Sequence, residues 1–178
     1  FPTRRSSDLG GVTSIKLSTN GVLTPDSIAV VSLSKILEPG KYYSLFITDS
    51  ILNANPSKQI FVQDNFLAAD TTTFTMRFVH GILNDSAGKN VDVYSTRRAS
   101  NIFINVSPGT VTDFTVQPYN FITDTLIVRR AGGTFELARL STATNPLARQ
   151  RAYTLMYKGT PSTTTAPKGR ALVTFANQ

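Results

Sequence analysis

The sequence has no cysteine, no tryptophan and a single histidine, His80. Without cysteine there is no disulfide, no thiolate zinc site and no cysteine nucleophile. With one imidazole, only one side chain has an unperturbed pKa near neutrality. Acidic residues are scarce, 11 against 18 Lys and Arg, and the only glutamates are Glu38 and Glu136. Nothing in the sequence draws those two together, so a glycosidase carboxylate pair is not expected. No apolar run approaches the roughly 18 residues of a membrane-spanning helix. A Gly-x-Ser-x-Gly elbow, a Gly-rich phosphate cradle and the motifs of common nucleic-acid modules are all missing. What remains is ample apolar material. Of the 178 residues 40% are hydrophobic, which excludes a wholly disordered chain and suffices for one domain and part of a second.

Those apolar residues are mainly Val, Ile, Phe and Tyr interleaved with Thr and Ser, a composition that suits a pleated, half-buried surface. Period-2 alternation recurs over Thr13 to Leu17, Lys41 to Ile47, Asn90 to Tyr94, Asn101 to Val106 and Thr112 to Val116. It continues over Thr125 to Val128, Phe135 to Leu140, Tyr153 to Tyr157 and Ala171 to Phe175. Turn signals at Asn20-Gly21, Pro39-Gly40, Pro108-Gly109, Gly132-Gly133 and Lys158-Gly159 separate the runs. Strand-sized runs at such spacing predict an all-β sandwich. Asp26 to Leu37 admits a helical reading, but its Ile and Val content and the following Pro39-Gly40 favour a strand.

The chain repeats itself. Tyr42 to Phe46 matches Ala152 to Met156 at a spacing of 110, and Ile60 to Val62 matches Ala171 to Val173 at 111. Thr13 to Lys16 resembles Thr125 to Val128 at 112, whereas Phe74 to Asn120 has no earlier counterpart. Tandem immunoglobulin-like antiparallel β-sandwich units are therefore expected, the first truncated. Residues 10–65 would be its C-terminal half, 66–73 a linker, and 74–178 a complete second sandwich. Residues 1–9, Phe-Pro-Thr-Arg-Arg-Ser-Ser-Asp-Leu, resemble a translated sequencing adapter over all nine positions, and an adapter-derived artefact would be no part of the fold. The expectation is that the reading frame opened inside a gene, so that a signal or lipid anchor would precede the visible chain. Setting aside Arg4, Arg5 and Asp8 lowers the net charge from +7 to +6.

Arg77-Phe78-Val79-His80, Val91-Asp92-Val93-Tyr94 and Asn105 to Phe114, which includes Gly109 and Asp113, occur in order. Leu37-Glu38-Pro39-Gly40-Lys41-Tyr42-Tyr43 precedes them. Together they resemble the bacterial domain-of-unknown-function family 4397. The resemblance implies β-sandwich domains, often in tandem, in exported and frequently lipid-anchored bacterial proteins, with no known activity. It departs from the family pattern in the loop Gly81 to Lys89 and in Asn145 to Arg151, which lacks a Pro-Gly turn.

A Ser-His-Asp arrangement would need His80, a serine, and Asp92 or Asp85. A neutral His80 ring bonded to nearby backbone is the simpler expectation. Asn84 to Asn90 supplies hard oxygen ligands, but it lacks the spacing and closing Glu of a calcium loop, and Lys89 would repel a cation. An ordinary turn is expected there, with Asp113 accepting backbone N–H groups beside its own turn. Arg97-Arg98 falls in a turn. Arg129-Arg130 ends a strand, where neighbours face opposite ways, so neither doublet makes a nucleic-acid patch. Tyr43 and Tyr153, each just after a turn, suit corners in which the hydroxyl bonds nearby backbone.

The motif positions Arg77, His80, Asp92, Tyr94, Gly109, Asp113, Tyr43 and Tyr153 are thus read as structural. No catalytic, metal or cofactor residue is expected. The expectation is a non-catalytic module, exported to the bacterial cell surface or periplasm, that binds glycan or protein partners of the envelope. A ligand-free structural spacer and a hydrolase using His80 are the alternatives. Neither nucleic acid nor a transmembrane segment is expected.

Overall fold

A strand that alternates apolar and polar residues buries its apolar face only against a second layer. The computed structural model describes residues 11–17, 31–48, 59–87, 89–119, 123–161 and 169–177. Within them the chain forms twelve strands and no helix. The adapter-like segment 1–9, the Asn20-Gly21 turn and most of the loop after Gly159 lie outside the described residues. The chain divides into two compact units, Phe1–Asp64 and Asn65–Gln178.

The first unit contains two antiparallel pairs. β1 (Gly11–Leu17) pairs with β2 (Val31–Leu37), so the segment open to a helical reading ends in a strand. β3 (Tyr42–Phe46) pairs with β4 (Ile60–Asp64), and Tyr43 stacks on Phe61 with ring centres 5.3 Å apart.

The second unit is a sandwich of two four-stranded sheets. One sheet runs β12 (Ala171–Ala176), β11 (Ala152–Lys158), β5 (Thr73–His80), β8 (Thr115–Pro118). The other runs β10 (Glu136–Ser141), β9 (Thr125–Arg130), β6 (Val91–Ser95), β7 (Ser100–Val106). Alternate residues of both sheets form one core: Met76, Phe78, Leu155 and Tyr157 face Val91, Val93, Phe103 and Val128. Phe78 stacks on Phe103 across the layers, with centres 5.8 Å apart.

One pairing departs from the antiparallel expectation: β11 lies parallel to β5, with Leu155 opposite Phe78. The chain crosses both sheets between these strands and re-enters beside its first strand from the same end. β5 is consequently central, and seven successive residues from Phe74 to His80 are buried. Thr73, expected to close a linker, opens β5, and Phe66 packs on Phe114 with centres 5.1 Å apart. β8 begins at Thr115, not at Thr112. The Pro108-Gly109 turn and the inward burial of Phe114 delay regular pairing, leaving only an isolated bridge between Val111 and Val79.

Candidate functional site

The antiparallel weave gives the second unit two ends, and each gathers polar side chains. At the first end β5, β9 and β11 finish, and β6 begins. His80 closes β5. It is fully buried, its backbone N–H donates to Thr110 O at 3.0 Å, and its own carbonyl accepts from Gly109 N at 2.8 Å. Its ring meets Tyr157 edge-on, with centres 5.2 Å apart. The Tyr157 hydroxyl donates to Asp85 Oδ2 at 2.9 Å. Arg170 then grips both oxygens of Asp85, from Nε and Nη2, each at 2.7 Å. Asp85 also accepts the Ala87 N–H at 3.0 Å.

These contacts hold the Asp85 carboxyl down at about 2. The Arg170 hydrogen bond is the main cause, opposed by burial and reinforced by Tyr157. Burial first, and the neighbouring carboxylate second, push the Tyr157 phenol well above its ordinary range. The result is an inward-facing ion pair that pins the loop after β5 to the segment entering β12. Tyr157 lies between His80 and Asp85, its ring against the imidazole and its hydroxyl on the carboxylate. The carboxylate that a calcium loop would need is occupied by a guanidinium. Gly109 sits at φ +77°, and a Cβ there would lie 3.3 Å from Leu83 Cδ2.

Asp92 supports the same end on the other sheet. It is buried and accepts from Asn105 N at 2.7 Å, Gly132 N at 3.0 Å and Asn101 Nδ2 at 3.1 Å. It therefore carries the backbone-capping role expected of Asp113. Among the described residues the exposed Asp113 side chain accepts no hydrogen bond, and the turn before it is closed by Thr110 N on Ser107 O and by the Ser107–Thr110 hydroxyl pair. Tyr94 faces outward under Arg129, whose guanidinium carbon lies 3.6 Å from the ring centre. Arg130 points the other way, Nε donating to Ala87 O at 3.0 Å, as opposite strand faces require. Arg77 is buried under the sheet, donating from Nε to Thr154 Oγ1 at 2.9 Å and lying 4.6 Å from the Phe114 ring centre.

The two tyrosine corners are alike. Glu38 N donates to the Tyr43 hydroxyl at 2.9 Å, and Ala148 N donates to the Tyr153 hydroxyl at 2.7 Å, five residues back in each case.

At the opposite end β6 and β10 finish and β9 begins. Asp124 ties three loops there. It accepts from Ser95 Oγ at 2.5 Å, Thr96 Oγ1 at 3.0 Å and Arg97 N at 3.0 Å, while its own N–H donates to Thr142 Oγ1 at 2.6 Å. Beside it the sheets part around a cavity of about 250 Å³. Phe74, Ile102, Leu126 and Leu147 supply apolar wall, while Arg98 and Gln117 supply polar wall. Such a mixed, concave site between layers is the usual form of a small-ligand pocket.

Sequence reasoning missed this end. Arg98 was legible only as half of a doublet, and Gln117 carried no signal. Tyr157 did carry one: a tyrosine at an inward position of a central strand needs a buried partner for its hydroxyl. Among the described residues no helix is long and apolar enough to cross a membrane, and no group of three His, Asp or Glu side chains gathers to hold a metal ion. No family model and no curated protein matches the chain.

Proposed function

We propose that the chain is a non-catalytic module of an exported bacterial envelope protein, binding glycan or protein partners through the cavity end of its second unit. The observation that carries this reading is the contrast in polar placement. The sole histidine is fully buried, whereas the opposite end presents a cavity of about 250 Å³ with polar and apolar walls. A sandwich core that fixes its loops in place is a suitable scaffold for recognition. The exported setting, the lipid-anchored relatives and the immunoglobulin-like tandem arrangement rest on the resemblance to family 4397. The repeated tyrosine corners at Tyr43 and Tyr153 add to the tandem reading.

The test is an array of bacterial envelope glycans, paired with crosslinking of the full chain on cells. The module reading expects at least one glycan or protein partner, lost when the wall is altered by Leu147→Arg. No array hit and no crosslinked partner, with surface assembly unchanged after deletion, would leave the spacer reading in its place.

A further inference from the structure

Arg98 is one of the partly buried cations of the second unit. It lies in the β6–β7 turn and lines the cavity. Its backbone N–H donates to Ser95 Oγ at 3.2 Å, and its Nη1 donates to Gln117 Oε1 at 2.6 Å. Gln117 is itself buried and anchored, its Nε2 donating to Thr115 Oγ1 at 2.7 Å. The guanidinium is thus held in place by a neutral partner. A guanidinium carries five N–H donors in a planar fork. Among the described residues the Arg98 side chain makes that one hydrogen bond and no ion pair.

Asp124 acts on Arg98 through space, but its oxygens accept from Ser95, Thr96 and the Arg97 N–H. Burial holds the Arg98 pKa below its ordinary value, the mark of a cation that has lost water without gaining a full counter-charge. A planar fork of this kind matches a carboxylate. The charge of Asp124 nearby makes one added negative charge a better match than the two of a phosphate monoester. Ile102 and Leu147, on the same cavity, offer an apolar surface to the body that bears the carboxylate.

We propose that the cavity binds a single carboxylate group of its ligand, with the Arg98 fork on that carboxylate and the Ile102 and Leu147 side chains against the less polar face of the ring that bears it. The inference rests on reading the unit as a binding module and adds the ligand's chemistry to it. A cavity of about 250 Å³ suits one sugar-acid ring or one small aromatic acid. The carboxylate therefore comes either from a uronic acid within a glycan or from a free organic acid.

Titration calorimetry on the full chain tests this with trigalacturonate, its methyl ester and phenylacetate. The expected result is saturable binding of trigalacturonate or phenylacetate, and which of the two binds identifies the source. Arg98→Gln should weaken that binding at least tenfold, Arg98→Lys should weaken it less, and the melting temperatures should stay close to the parent's. If trigalacturonate is the ligand, its methyl ester should bind the unaltered chain at least tenfold more weakly, a comparison that needs no variant to fold. Binding of neither acid, equal binding of acid and ester, or indifference to Arg98→Gln would overturn the inference. Binding of a neutral glycan that Leu147→Arg abolishes, with neither acid bound, overturns the carboxylate assignment and leaves the module reading standing. No partner of any kind overturns both.

Discussion

The two ends of the second unit are made from the same strands, yet they hold their charges differently. At the His80 end, the buried Asp85 is gripped by the part-exposed Arg170 and a tyrosine completes the set. At the Asp124 end, a carboxylate knots loops through hydroxyl and backbone donors, and Arg98 lines an open cavity. A desolvated ion pair is costly to break from one side, because the surviving partner is left charged and unpaired. Single hydrogen bonds from neutral donors to the part-exposed Asp124 carboxylate are each worth less, because losing one leaves no counter-ion stranded. One end is therefore built for rigidity, while the other keeps donors available.

Substitutions should expose that asymmetry. The largest effect is expected from Asp85→Ala, which strands Arg170 and the Tyr157 hydroxyl. It should lower unfolding free energy by about 3 kcal/mol in urea denaturation, less than for a fully buried pair because the Arg170 side chain is 24% exposed. Gly159→Ala comes next. Gly159 sits at φ +118°, and a Cβ there would lie 2.0 Å from Gly169 O, so the entry to β12 must shift at a cost of about 2 kcal/mol. On the cavity side Tyr153→Phe removes one neutral bond to Ala148 N and should cost about 1 kcal/mol. Arg98→Gln should cost about 1 kcal/mol or less, its effect falling on binding instead. If Arg98→Gln destabilised as much as Asp85→Ala, the distinction between the ends would collapse.

Acid titration sharpens the same comparison. The Asp85 carboxyl titrates at about 2 in the folded chain, below its ordinary value of 3.8. Its contribution to stability is thus complete above about pH 4 and lost as pH falls toward 2. Glu136 and Asp70 are lowered as well, by Arg139 and by Thr72 with Thr73 respectively, so the parent chain carries their slopes too. The difference between the parent and Asp85→Ala isolates the ion pair. That difference should shrink between pH 4 and 2, whereas the difference between the parent and Tyr153→Phe should not.

Much of the fold was legible because alternation and turn residues act locally. The strands from Asn101 to Val106 and from Tyr153 to Tyr157 follow directly from their period, and the tyrosine corners follow from a Tyr placed just past a turn. Pairing across the chain was not local, and there the sequence match slipped. Ile60 to Val62 aligns by letter with Ala171 to Val173. By register, however, Ile60 lies opposite Phe46 and Val173 opposite Met156, so Ile60 corresponds to Val173. A two-residue slip preserves which face each side chain takes, so alternation alone cannot detect it. Cross-strand side-chain pairs detect it: Ser44 Oγ donates to Asp64 Oδ2, and Thr154 Oγ1 donates to Asn177 Oδ1, both at 2.8 Å. The Asp85–Arg170 pair was invisible for the same reason, since 85 residues separate its members. Asp92 and Asp113 looked equivalent in sequence. Only the β6–β7 register shift and the positive φ of Asn105 show why Asp92 turns inward to accept the Asn105 N–H.

The most direct test of the two-ended account is an amide chemical-shift titration of the full chain, isotopically labelled, with the strongest glycan from the array. The account predicts shifts concentrated at Ser95 to Arg98, Gln117 and Thr142 to Leu147, with Gly81 to Ala87 and Arg170 unmoved. Shifts centred on Gly81 to Ala87 and Arg170, with the cavity residues silent, would contradict it.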